Sequence, residues 1–162
     1  MKIIVFALAV SLSLGMVGCT NPQTGTGKDQ KAEPVFRKGD LITNNNFTGN
    51  TWLQMFVSND SLYNASIGNV TFEPGARTNW HKHPGGQILL VLDGTGFYQE
   101  KGKSAQRIKK GDVVKIPPFA EHWHGAAPDS GLTHIAISLN LDKGSVVWLQ
   151  PVTDEVYDQS TK

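Results

Sequence analysis

Short apolar runs, broken at regular intervals by turn residues, leave this chain few options other than a stack of β-strands. The runs Thr51–Ser58, Gly68–Glu73, Gln87–Leu92, Thr95–Glu100, Ala105–Lys109, Asp112–Ile116, Leu132–Leu141 and Ser145–Leu149 are each bounded by Gly, Pro, Asn or Asp. Asp93-Gly94 and Lys110-Gly111 are predicted turns between neighbouring runs. Only Asp154–Asp158 reads as a helical turn, with Thr153 as its cap. Strands this short and this evenly spaced predict an all-β antiparallel sandwich or barrel. Residues 35–162 are long enough to form one such domain around a real core.

Two runs carry more than strand character. In Gln87–Leu92 both faces are apolar, with Leu89 and Val91 on one and Ile88, Leu90 and Leu92 on the other. In Leu132–Leu141 one face holds His134, Ala136, Ser138 and Asn140, and the other Thr133, Ile135, Ile137 and Leu139. An antiparallel sheet with one wet face alternates apolar and polar residues. A second apolar face therefore predicts a cover: another sheet, the N-terminal segment, or a second subunit. A homodimer or higher homo-oligomer is expected, with strands from residues 35–58 exchanged between copies as one means.

The chemistry-bearing residues cluster in two stretches. Between Gly75 and Gly94 lie His81 and His83, one residue apart, and Gln87 follows a Pro-Gly-Gly turn. Side chains at i and i+2 of a strand share a face, so two imidazoles can meet at one point, and a chain folding back can add Gln87. That is the geometry of a metal site. Between Gly111 and Gly125 a second pair appears, His122 and His124, and the fifth histidine, His134, lies on the small-residue face of the next strand. A formal net charge of +1 excludes the basic surface that nucleic-acid binding needs. One cysteine excludes an intrachain disulfide.

The first residues are expected to be a targeting segment rather than fold. Lys2 precedes an apolar run, Ile3–Leu14, and Met16-Val17-Gly18-Cys19 follows. This layout resembles a bacterial lipoprotein signal, residues 1–18, with Cys19 becoming the lipidated N-terminus; a plain secretory signal with an incidental cysteine is the alternative. Residues 19–34 are polar and read as a flexible tether. The expectation is an extracytoplasmic protein held at a membrane by its acyl chains.

The two histidine stretches together resemble the paired motifs of the cupin superfamily. Gly75, His81, His83 and Gly94 keep the spacing of the first motif, with Gln87 at its glutamate position. Gly111, Pro117 and His122 keep that of the second, with Phe119 at the turn glycine. The runs Thr71–Thr78, His122–Ala126, Thr133–Ile137 and Val152–Tyr157 are similar to those of small single-domain bacterial cupins. That group includes manganese-dependent hydroxynitrile lyases and carboxymuconolactone-decarboxylase-like proteins. The resemblance implies a jelly-roll barrel and one divalent metal held by His81, His83, Gln87 and His122. Manganese is expected first, with iron, zinc, nickel or cobalt as alternatives. Four neutral ligands would leave the ion its full charge and make it a strong Lewis acid. His124 or His134 could then act as general base, and Thr78 could hydrogen-bond a substrate oxygen. The expected activity is metal-dependent chemistry on a small oxygenated molecule, C–C lyase-like first, with dioxygenase or isomerase chemistry as alternatives. Against it stands a non-catalytic, lipid-anchored module that captures a small molecule or metal. Ser138 departs from the lyase-like pattern, where a longer amide side chain lies. His124 and His134 as purely structural or ligand-orienting groups remain the bland alternative.

Overall fold

The computed structural model describes residues 33–162. The expected signal segment, Cys19 and nearly all of the tether lie outside the described residues. Among the described residues twelve strands follow one another: β1 (Asp40–Leu41), β2 (Phe47–Thr48), β3 (Thr51–Asp60), β4 (Ala65–Phe72), β5 (Arg77–Thr78), β6 (His81–Lys82), β7 (Gln87–Glu100), β8 (Gln106–Lys109), β9 (Val113–Ile116), β10 (His122–Ala126), β11 (Leu132–Leu139) and β12 (Val147–Trp148). One helix, α1 (Asp154–Ser160), closes the chain. Thr153 caps it as expected, its hydroxyl oxygen accepting from the Val156 N–H at 3.3 Å.

All pairings are antiparallel, and they form the two faces of a jelly roll. One runs β1-β3-β4-β11-β7-β9; the other sets β10 between β7 and the short strands β5 and β6, with β2, β8 and β12 at its margins. Strand β7 belongs to both. Its first half, Gln87–Leu90, pairs with β9, and its second half, Thr95–Tyr98, pairs with β8. This corrects the predicted turn at Asp93-Gly94. The chain does not reverse there; it bends and passes from one sheet to the other. Gly94 makes the bend possible, with φ +78° and the Gly131 carbonyl oxygen occupying the place where a Cβ would stand.

The other differences are local. Segment His122–Ala126, assigned no strand from sequence, is a fully buried one. The run expected to Leu141 stops at Leu139 because Asn140 turns left-handed, φ 50°, into a 3-10 turn at Leu141–Lys143. Ser145–Leu149 contracts to β12.

The main core fills the space between the sheets, with Phe72, Leu89, Val91, Val114 and Leu132 at its centre. A second core packs Trp80, Phe97, Trp123 and Val152 against Tyr157 of α1. Arg77 is not at the surface, as a simple sheet ion pair would be. It is buried, donates to the Val152 carbonyl and to Asp154, and lies over the Tyr157 ring. On the outer face of the first sheet, Val57, Ile67, Ile137 and Ile88 align across four strands. The N-terminal segment covers part of this face, its Arg37 carbonyl accepting from Asn69 at 3.1 Å. That is one of the three covers expected.

Candidate metal centre

The antiparallel pairing of β6 with β10 sets His81 opposite His122. Their rings lie 4.1 Å apart, and His83 approaches from the end of β6 at 5.3 Å from His81 and 5.9 Å from His122. One ring nitrogen from each falls within 4.8 Å of the others, so the three can hold a metal ion. The turn at Pro84-Gly85-Gly86 returns the chain to Gln87 at the start of β7, as the sequence predicted. Gly85 admits no side chain there, because the Leu139 carbonyl occupies the place its Cβ would take.

The outer nitrogens are all engaged. His81 Nδ1 lies 3.0 Å from the Asn79 carbonyl and His122 Nδ1 lies 2.9 Å from the Ala120 carbonyl. A carbonyl only accepts, so both Nδ1 atoms carry the hydrogen and both Nε2 atoms present lone pairs. His83 Nδ1 meets Ser138 Oγ at 3.2 Å. Burial lowers the pKa of His83 and His122 to about 4 and that of His81 well below its ordinary value. The triad is therefore neutral near pH 7.

One contact tests whether a cation fits. His122 Nε2 and Gln87 Oε1 face each other at 3.2 Å. With the His122 hydrogen on Nδ1, both are acceptors and neither supplies a proton. A divalent ion between them resolves that opposition, and three imidazole nitrogens with an amide oxygen suit a first-row metal.

His124 and His134 lie beside the triad. Their rings are 4.9 Å apart, edge to face, and His124 is 5.3 Å from His81. Phe72 packs against both. Burial lowers the pKa of His134 to about 4 and holds that of His124 well below ordinary. No side chain among the described residues hydrogen-bonds His124 Nδ1 or either His134 ring nitrogen, and only the Ile135 backbone lies within reach of His134. Buried nitrogens of this kind are uncommon, and a water or a small molecule between the rings would satisfy them. Thr78 is buried, and its hydroxyl oxygen accepts from the His124 backbone N–H at 3.2 Å. It ties β5 to β10 and keeps its own hydrogen to donate.

Met55 and Ser138 share the histidine side, whereas the register puts Val57 and Ile67 on the opposite face. A bulge in β3 between Met55 and Val57 sets those two residues on different faces. Trp148 packs its ring 4.9 Å from His81, with Phe47 at 5.3 Å from the Trp148 ring. No local pattern marks Trp148, because the β12–β6 pairing that brings it there joins residues far apart in sequence.

The arrangement has relatives. Residues 68–137 match the cupin domain. The chain is 47% identical over 112 residues to an (R)-mandelonitrile lyase of Granulicella tundricola, covering 65% of this chain and 86% of that protein. It is 51% identical to a cupin-like protein of Thermotoga maritima of known structure, with a TM-score of 0.79 over 80% of this chain and 98% of the other. A predicted oxalate decarboxylase of Thermotoga maritima shares the fold at 23% identity, with a TM-score of 0.55 over 68% and 91% of the two chains. An all-β jelly roll, a buried three-histidine cluster at the strand pair β6–β10, and near-complete coverage of these small proteins place the chain in the cupin family.

Proposed function

We infer that this protein is a metal-dependent cupin lyase that cleaves a small oxygenated molecule at a C–C bond, with a cyanohydrin as the first substrate class. The observation that carries the reading is a pair of buried histidines with ring nitrogens that no side chain occupies, beside a triad that can hold a cation. The 47% identity to an (R)-mandelonitrile lyase supports the choice of reaction. His81, His83, Gln87 and His122 would hold the metal, manganese first. When bound, it supplies Lewis-acid polarisation of the substrate oxygen. His134 or His124, neutral near pH 7, takes the hydroxyl proton. The C–C bond to cyanide breaks, its electron pair leaves with the cyanide carbon, an aldehyde forms, and the same imidazole returns the proton to give hydrogen cyanide. Thr78 keeps His124 in place from behind. The surrounding Phe72 and Trp148 rings exclude water and favour an aryl substituent.

The test is benzaldehyde release from mandelonitrile by protein loaded with manganese, iron or zinc, with metal content measured by mass spectrometry. Release that is abolished in His81→Ala and reduced at least about a hundredfold in His134→Ala supports the reading. Stoichiometric metal with no turnover, and no change of any activity in His134→Ala and His124→Ala, favours the alternative binding module.

Two further parts of the reading concern placement. The apolar row Val57, Ile67, Ile137 and Ile88 supports a homodimer through the outer sheet face, and light scattering at a monomer mass would overturn it. Lipidation at Cys19 would tether the domain outside the cytoplasm, and release of the Cys19→Ala protein from the membrane fraction is the expected result.

A further inference from the structure

The three imidazoles of the triad are oriented by unequal means. His81 and His122 each anchor Nδ1 on the carbonyl two residues earlier, Asn79 and Ala120. Those anchors are backbone, and no side-chain substitution removes them. His83 has no such carbonyl in its contacts. Its own carbonyl is occupied elsewhere, accepting from the Gly86 and Phe119 N–H groups at 3.0 Å each. Its Nδ1 reaches instead across to Ser138 Oγ, 3.2 Å away on β11, a strand that makes no other side-chain hydrogen bond to the triad among the described residues. In register, Ser138 stands opposite Gln87 on the neighbouring strand β7. The serine thus lies between two of the four candidate ligands.

We propose that Ser138 is the positioning residue for His83: its hydroxyl oxygen accepts from Nδ1–H, fixes the tautomer with the lone pair on Nε2, and so sets the metal affinity of the whole site. The inference rests on the metal-centre reading above. A hydroxyl on Cβ reaches the imidazole beside it. The oxygen accepts from His83, which leaves its own hydrogen free to turn toward Gln87 or a bound substrate. Outer partners of this kind hold the ring orientation and tautomer of a ligating histidine, and their loss weakens metal binding by about 10- to 100-fold.

The experiment compares wild type, Ser138→Ala and Ser138→Thr. Manganese affinity is measured by calorimetry, and the His83 tautomer of the metal-free protein by long-range proton–nitrogen spectra. The expected result is a manganese Kd raised by about tenfold or more in Ser138→Ala and restored in Ser138→Thr. The spectra should show His83 protonated on Nδ1 in wild type and as a tautomer mixture in Ser138→Ala. Equal manganese affinity in wild type and Ser138→Ala, or a wild-type His83 protonated on Nε2, overturns the proposal and leaves the metal centre standing. A wild type that binds no manganese, iron or zinc overturns the metal-centre reading itself, and the tautomer spectra then still decide what Ser138 does to His83. If Ser138→Ala fails to fold, Ser138→Cys, which keeps the size but accepts hydrogen bonds poorly, takes its place with the same expected loss.

Discussion

His134 is the residue whose replacement tests the electrostatics of this site most directly. It is fully buried, with its pKa lowered from 6.5 to about 4 by desolvation. The unfolded chain therefore takes up a proton below about pH 6.5 that the folded chain refuses until about pH 4. Stability is unaffected by this group above its unfolded pKa. It falls as pH drops through the window between the two values, by at most about 1.4 kcal/mol per pH unit, and levels off below the folded pKa. Integrated from about pH 7.5 to about pH 5, His134 alone costs about 2 kcal/mol. The substitution His134→Leu removes the titration while keeping an apolar side chain against Phe72. Urea unfolding of both proteins, metal-free in chelator, gives the stability difference at each pH. That difference should move by about 2 kcal/mol in favour of the leucine variant between those two pH values, whatever its size at neutral pH. A difference that stays constant within about 0.5 kcal/mol would show that His134 is protonated alike in both states, and the burial argument would fail.

Gln87→Glu adds a negative charge at the opposed acceptor pair of Gln87 and His122, so metal should bind more tightly, by about tenfold or more, while the acidity of bound water falls; calorimetry and the pH profile of activity report the two effects. Gly94→Ala should destabilise by about 3 kcal/mol or more, read from the urea midpoint, because its Cβ would meet the Gly131 carbonyl in a backbone conformation with φ +78°. Arg77→Met should cost about 1–3 kcal/mol by leaving the Val152 carbonyl without its two donors. Asp154→Asn, at the solvent-exposed end of the Arg77–Asp154 ion pair, should change the unfolding free energy by no more than about 0.5 kcal/mol.

Much of the site was legible without coordinates because the information is local. Histidines two residues apart in an extended chain share a face whatever the rest of the fold does. The Pro-Gly-Gly turn returns Gln87 to them by its own geometry, and alternation along residues 132–141 puts His134 and Ser138 on one side. Strand content and the capped helix at Thr153 follow from turn residues and local hydrogen bonding in the same way. What only the tertiary structure decided depends on register between distant strands. Asp93-Gly94 has the composition of a hairpin turn, yet β11 and β10 hold the two halves of β7 in different sheets, and Gly94 bends the strand instead of reversing it. The pairing of His81 with His122, the Trp148 ring against His81, and Ser138 behind His83 each join residues more than forty positions apart. Sequence spacing names which imidazoles can converge. Which nitrogen each one presents is decided by the carbonyl or hydroxyl behind it, and for His83 that partner is supplied by another strand.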